Sequence, residues 1–314
     1  MTQAAETIAR PFERVCDTTN TSEWLAHRDG GIGASEIAIL LGASEWGSNL
    51  ELYYRKLGEL ADSREDNELM LWGRLLERPI LDELTRRAEV TLLDEPQRLL
   101  RSREHRWAIA TPDGITTDLE PVEVKNLSHG YDAEEWSEQI PEKYYLQCQH
   151  QMLVMGAERC LFGALLWGSK LLWEWVPRDE FTIRRIIRAG SEFWGHIERR
   201  EPPPSDGHPN ARKVLARRAT DPEPVELYES EIGALLEQWF EAAKASQLAD
   251  ATAKKAKRQR DALADELAKH LGDHVSGMTA TGWSVRWKTI ERRGYEVAPA
   301  TIKQLEIKPP KLRK

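Results

Sequence analysis

The feature that most narrows the fold of this 314-residue chain is a Thr-Pro-Asp-Gly turn at 111–114, followed ten residues after Asp113 by Glu123 in the run PVEVKN. Strand side chains alternate between faces, so 121–126 reads as a short strand with Val122 and Val124 on one face and Glu123 and Lys125 on the other. The turn itself follows a strand-like run, RWAIA. A hairpin returning through 115–124 would carry the Asp113 carboxylate to the side of Glu123. Taken alone, this pattern allows two outcomes. One is a surface turn and an edge strand with alternating charges, which does no chemistry. The other is two carboxylates and an ammonium gathered at one point. That set suits Mg²⁺ or Mn²⁺, which bind through a few acidic oxygens and keep water or substrate phosphates in the remaining positions.

Other properties of the chain remove several classes of protein. No apolar run approaches the roughly 18 to 20 residues that span a bilayer, and the start carries no signal-peptide pattern, so a soluble, cytoplasmic protein with no membrane partner is expected. Cys16, Cys148 and Cys160 are scattered without a C-x-x-C pair, which argues against a disulfide framework or a zinc site. The net charge of −8 is unevenly distributed. Residues 251–314 hold 15 Lys+Arg against 7 Asp+Glu, or +8, which leaves −16 for residues 1–250. An acidic body can still hold a nucleic-acid backbone through metal ions and a local basic groove.

Along the chain, residues 1–23 lack periodicity and are expected to be a loosely ordered segment. The glycine-rich loop RDGGIGAS ends at Ser35, a favourable N-cap for the short apolar helix EIAILL. A second helix begins at Ser48 or Asn49. Residues 67–88 fit a longer one, with Leu69, Trp72, Gly73, Leu76, Ile80 and Leu84 as its buried stripe. Glu77 lies at the edge of that stripe, one turn beyond Gly73, where a missing side chain permits close approach. Strands at about 90–100, 106–110, 114–117 and 121–126 follow, then a polar loop over 127–139 and a helix at 141–155. An apolar hairpin and a helix from 178 to 200 complete a main body over 24–207. The proline-rich EPPPSDGHPN opens a linker, 208–224. Residues 225–314 read as a helical region, one long helix or a pair, with a β-hairpin in TGWSVRWKTIERRGYEV.

In order, the sequence offers G-x-x-x-E ending at Glu77, P-D-G at Asp113, E-x-K at Glu123 and Lys125, and a helix beginning IPEKYYLQCQHQM. With W-L-x-x-R-x-G-G-I-G-A-S upstream and PPP-S-D-G downstream, this set resembles the YqaJ-like branch of the lambda-type exonucleases, within the PD-(D/E)xK nuclease superfamily. The resemblance covers roughly Trp24 to Gly207. It implies a mixed α/β (α+β) fold with a restriction-endonuclease-like core, a central mixed sheet flanked by helices, and a C-terminal helical and hairpin extension.

The resemblance also implies roles for individual residues. Asp113 and Glu123 would be direct ligands of Mg²⁺, for which Mn²⁺ substitutes, with the Val124 main-chain carbonyl as a third and Glu77 reaching the metal through water. Lys125 would orient or activate the attacking water, and Gln147 would contact that water or the scissile region. Arg28 and Ser35 would hold a 5′-phosphate, chemistry that a guanidinium and a helix N-cap serve for electrostatic reasons.

The activity implied is 5′-to-3′ digestion of one strand of a DNA duplex to mononucleotides. The family works as a ring-shaped homotrimer on double-stranded DNA ends, with a single-strand annealing protein as partner in phage recombination. The runner-up functions are another nuclease of the same superfamily, Cas4-like or helicase-associated, of a kind that often carries four cysteines for an iron-sulfur cluster, and a DNA-end-binding protein with an inactive site.

Gln147 and Gln149, two apart, cannot share a helical face, so only Gln147 is assigned to the site. His150 is read as a satisfied structural histidine, and Trp72, Trp167, Trp173 and Trp194 as core. Trp46, beside the glycine loop, is the tryptophan expected to touch DNA. The cluster KKAKRQR at 254–260 is either a DNA-backbone contact or a solvated helix face.

Overall fold

The computed structural model describes residues 10–60, 68–127, 136, 139–220, 223–225, 228–280 and 283–287. It divides into two compact units that meet in sequence at Ala219 and Thr220.

The first unit is mixed α/β with two four-stranded mixed sheets where one was expected. In the first sheet, β1 (Phe12–Asp17), β3 (Arg98–Ser102) and β4 (Ala108–Ala110) are antiparallel, and β2 (Ile32–Gly33) is parallel to β4. In the second, β5 (Gly114–Ile115) and β6 (Pro121–Leu127) are antiparallel, β7 (Arg159–Leu166) is parallel to β6, and β8 (Lys170–Pro177) is antiparallel to β7. The chain passes from β4 to β5 through Thr111, Pro112 and Asp113. Pro112 has no N–H to give a ladder, and the pairing is interrupted there.

One helix lies against both sheets. Helix α5 (Glu142–Met155) is buried from Leu146 to Met155 and packs on β3, β4, β6 and β7, ending at Gly156 in the left-handed conformation (φ 67°). A helix buried on all sides must satisfy each polar side chain it carries, and α5 carries Gln147, Gln149, His150 and Gln151. Gln149 is structural. Its amide donates to the Pro177 carbonyl at 2.8 Å, and its oxygen accepts from the Asp179 N–H at 2.9 Å, at the start of α6 (Glu180–Arg199). Trp107 closes the other side against Gly190 of α6, where any Cβ would stand 2.2 Å from the indole. The indole N–H donates to Ser191 Oγ.

His150 is buried, with Nε2 3.1 Å from the Ile109 carbonyl and Nδ1 without a hydrogen-bond partner among the described residues. Burial depresses its pKa to about 4 from an ordinary 6.5, so the folded protein holds a neutral ring. The unfolded chain takes up this proton below pH 6.5 and the folded chain only near pH 4, so stability falls as pH drops through that window. The full difference is about 3 kcal/mol. Urea unfolding midpoints from pH 7.5 to 4.5 are expected to fall less steeply in His150→Gln than in the parent, and equal slopes would refute the assignment.

Several expectations are corrected. Phe12–Asp17 is a strand and α1 spans Thr21–Asp29, so most of 10–23 is ordered. The helix after the glycine loop, α2, covers only Ile37–Leu40, and Ser35 does not cap it. Helix α3 (Asn49–Lys56) is capped by Ser48, one of the two residues at which it was expected to begin. Helix α4 (Glu68–Ala88) buries Ile80, Leu81 and Leu84, but Leu69 and Trp72 of the expected stripe are exposed, as are Trp167 and Trp173. Helix α7 (Pro209–Arg218) occupies most of the expected linker: His208 caps it, Pro209 suits its first position, and Ala211 and Val214 are buried.

In the second unit, a single 43-residue helix, α8 (Glu229–Leu271), replaces the possible pair. The hairpin there joins β9 (Ser276–Met278) to β10 (Ser284–Arg286). It therefore begins earlier than expected, and residues 288–297 of the expected hairpin lie outside the described residues. No described helix is long and apolar enough to cross a membrane.

Candidate active site

The hairpin read from the sequence forms. Gly114 pairs with Val122 and Ile115 with Pro121, which returns β6 past the turn so that the Val124 N–H donates to Asp113 Oδ2 at 2.8 Å. On the other side, Gln97 Nε2 donates to Asp113 Oδ1 at 3.4 Å, and Gln97 is itself held by Thr18. Glu123, only 1 % exposed, projects from the other face of β6, the one that meets α5.

Three donors converge on Glu123. Lys125 Nζ and Gln147 Nε2 reach Oε1, and Gln151 Nε2 reaches Oε2 at 2.6 Å. Of the two glutamines weighed from the sequence, Gln147 reaches Glu123 and Gln149 does not, and Gln151 is an addition. The spacing that finds it is i to i+4, which places Gln151 directly above Gln147 on one helical face. The Cys160 thiol in turn lies 3.9 Å from Gln151 Oε1, as a weak donor that leaves the amide N–H₂ turned toward Glu123. Outer partners of this kind typically change metal affinity or activity by about 10 to 100-fold. Gln151→Leu is therefore expected to lower activity and divalent-ion affinity together by that factor, measured by single-turnover kinetics and ion titration, with far-UV circular dichroism unchanged.

Glu77 on α4 is half-buried and lines, with Asp113, a cavity of about 360 Å³ bounded by Leu81, Leu92, Gln97 and Ile115. Burial raises its pKa, Glu123 raises it further, and Lys125 opposes both. Asp113 is pushed well above the ordinary carboxylate range by burial, Glu123 and Glu77, against the pull of Lys125 and the Val124 N–H. Burial alone would lower Lys125, but Glu123 and Asp113 more than reverse this and hold it as an ammonium. Among the described residues nothing lies within 4 Å of a Cβ placed on Gly73, one turn before Glu77.

Three carboxylates around one ammonium are mutually repelling, and a divalent cation relieves that repulsion. Among the described residues no three of His, Cys, Asp and Glu form a ready-made cage. Two carboxylates, with a main-chain carbonyl beside them, fit an ion that keeps waters or phosphate oxygens in its other positions, as Mg²⁺ does. The donor set fits such an ion.

A second cluster surrounds the glycine loop. Arg28 Nη2 lies 3.3 Å from Ser35 Oγ, so the two residues paired from the sequence do meet. Their organiser is Glu36, which the sequence reading passed over. It is 4 % exposed, accepts from the Gly33 N–H at 2.8 Å, and is bridged by Lys56 at 2.8 Å, Arg55 at 3.0 Å and Arg28 at 3.8 Å. Glu36 works against its own burial, yet these cations lower its pKa to about 2. Three cations on one carboxylate leave an excess of two positive charges where Arg28 reaches the surface. The cation cluster takes the place of the helix N-terminus expected at Ser35. Trp46 is 81 % exposed on the α2–α3 loop, and Arg28 stacks on Trp24, 5.3 Å from its ring centre.

Residues 23–158 match the model of the YqaJ-like viral recombinase domain. The uncharacterized protein YqaJ of Bacillus subtilis (strain 168) is 30 % identical over 223 residues, which span 70 % of this chain and 68 % of that protein. Among solved structures, the alkaline exonuclease LHK-Exo of Laribacter hongkongensis superposes with a TM-score of 0.48 at 20 % identity, covering 63 % of this chain and 98 % of that one. LHK-Exo in complex with dAMP gives 0.48 at 21 %, covering 63 % and 97 %. The family assignment rests on the sequence relatives.

Proposed function

From the premise that the chain belongs to the YqaJ-like viral recombinase family, we propose that it is a Mg²⁺-dependent nuclease that digests double-stranded DNA from 5′-phosphorylated ends, releasing mononucleotides and leaving a 3′ single-stranded tail. The observation that carries this reading is the hairpin contact of Asp113 with the Val124 N–H, which places a second carboxylate beside the Glu123 and Lys125 pair.

Asp113, Glu123 and the Val124 carbonyl would hold the ion, with Glu77 reaching it through water, and the bound ion would supply Lewis acidity toward water and phosphate oxygen. The chain's own residues do the positioning. Gln147 and Gln151 fix Glu123 from α5, and Gln97 and the Val124 N–H fix Asp113. Lys125, held as an ammonium, donates hydrogen bonds to the attacking water or to the phosphate oxygen that gains charge, and does not itself take the proton. Mn²⁺ is expected to substitute.

The excess positive charge beside Ser35 suits a terminal phosphate dianion, and Trp46 on the neighbouring loop offers a ring for a base to stack on. A charge-assisted hydrogen bond is worth about 1.5 to 3 kcal/mol, or roughly 10 to 100-fold. Initiation on 5′-phosphoryl duplex is therefore expected to exceed that on 5′-hydroxyl duplex, and Arg28→Gln should erase most of that difference without changing digestion of the 5′-hydroxyl substrate. Equal loss on both substrates would move Arg28 out of the end-recognition role. The same reading includes a homotrimeric ring threaded by the duplex and a single-strand annealing protein that receives the tail. The iron-sulfur alternative is disfavoured because the sequence has three cysteines, Cys16, Cys148 and Cys160, where such a cluster takes four.

A further inference from the structure

Helix α8 carries a periodic apolar seam that the described residues of its own unit leave exposed. A single helix of 43 residues runs about 65 Å, long enough to present a continuous face to a partner. From Ile232 to Leu267, residues three and four apart form an unbroken heptad register. Its ends are large and apolar: Leu235 and Trp239 near the start are 66 % and 41 % exposed, and Leu263 and Leu267 near the finish are 60 % and 52 % exposed. Between them, positions 242 to 256 of the same register hold alanine and one serine, which let a second helix approach closely.

Charge decides what covers the seam. Residues 229–250 contain five acidic residues (Glu229, Glu231, Glu237, Glu241, Asp250) and Lys244, a net −4. Residues 251–271 contain six basic residues (Lys254, Lys255, Lys257, Arg258, Arg260, Lys269) and three acidic ones (Asp261, Asp265, Glu266), a net +3. We infer that α8 pairs with α8 of a second copy of this chain, antiparallel, about a two-fold axis near residue 251, a contact separate from the proposed ring of three copies, the second copy belonging to another ring.

In this pairing Leu235 of one copy meets Leu267 of the other, Trp239 meets Leu263, Ala249 meets Ala253, and each acidic half lies on a basic half. A parallel pair would stack −4 on −4 and +3 on +3. It would also oppose Arg260 to itself on the seam, where the antiparallel pair sets it against Ala242. The basic cluster at 254–260 thereby gains a role in self-association that the nuclease reading does not require.

Cysteine crosslinking in the full-length protein tests both the pairing and its direction. Cys16, Cys148 and Cys160 are buried, so they give little background. Ala249→Cys and Ala253→Cys, prepared separately, mixed after brief dilution to exchange subunits and then oxidised, are expected to yield a disulfide-linked dimer. Neither variant alone should do so. Adding Leu263→Glu and Leu267→Glu to both should abolish the crosslink. A crosslinked dimer from either single variant alone would show parallel pairing and overturn the proposal. No dimer from the mixture, with α8 still helical by circular dichroism, would overturn it too, as would crosslinking that survives the glutamate substitutions. The readout is independent of nuclease activity, so failure of one leaves the other standing.

Discussion

Glu123→Gln is expected to abolish hydrolysis of duplex DNA, by on the order of 10³-fold or more, without unfolding the protein. The substitution keeps shape and removes charge. Three donors, from Lys125, Gln147 and Gln151, point at this carboxylate, and an amide can accept from only part of that set. Losing a direct ligand should cost more than the roughly 10 to 100-fold typical of outer partners. Titration with Mn²⁺ should show the ion's affinity falling in parallel. Activity within tenfold of the parent, with ion affinity intact, would mean that the three donors serve folding only and that the chemistry lies elsewhere.

Glu36→Gln is expected to be the most destabilising change among the polar residues of the first unit. Lys56, whose side chain is fully buried, loses its counter-charge, while Arg28 and Arg55 are left facing it. Breaking a buried pair by removing one partner costs about 3 to 5 kcal/mol. The pH dependence has a definite sign. Glu36 is depressed from 4.5 to about 2, so its contribution is fully present above pH 4.5 and is lost as pH falls toward 2. In urea unfolding near neutral pH the variant should lose most of that amount, and the gap from the parent should close as the buffer is taken below pH 4. A gap that is small at pH 7, or that widens in acid, would contradict the account of Glu36 as the organiser of these cations.

The hairpin that builds the carboxylate site was legible because two local signals agree: alternation along 121–126 and a Pro-Asp-Gly turn before it. Of the long helices, α4 was legible from its three- and four-residue apolar spacing, and α5 and α6 were expected close to where they lie, at 141–155 and 178–200. Strand β1 was not legible, because only Phe12 and Cys16 of its six residues are buried, while Arg14, which falls between them in the alternation, is exposed where the register shifts between Arg14 and Cys16. Trp72 misled for a different reason. A stripe at helical spacing says that a face is apolar, not that this chain covers it. Glu36 was invisible because glutamate is rarely buried, and its partners Arg28, Arg55 and Lys56 lie outside its own helix, so only folding brings them together. Gln151 could have been found, since its i+4 spacing to Gln147 is plain in the sequence. The division into two sheets depends on pairing across distant strands, which no local pattern reports.

The most direct test of the central claim uses a linear duplex with one 5′-phosphoryl end, labelled separately on each strand, together with a covalently closed circle of the same sequence. With Mg²⁺, the full-length protein is expected to release mononucleotides from the 5′-phosphorylated strand, leave the opposite strand as a 3′ tail, and spare the circle. Chelation or Asp113→Asn should stop the release. Cleavage of the closed circle at a comparable rate, digestion from 3′ ends, or undiminished activity in Asp113→Asn would contradict the account.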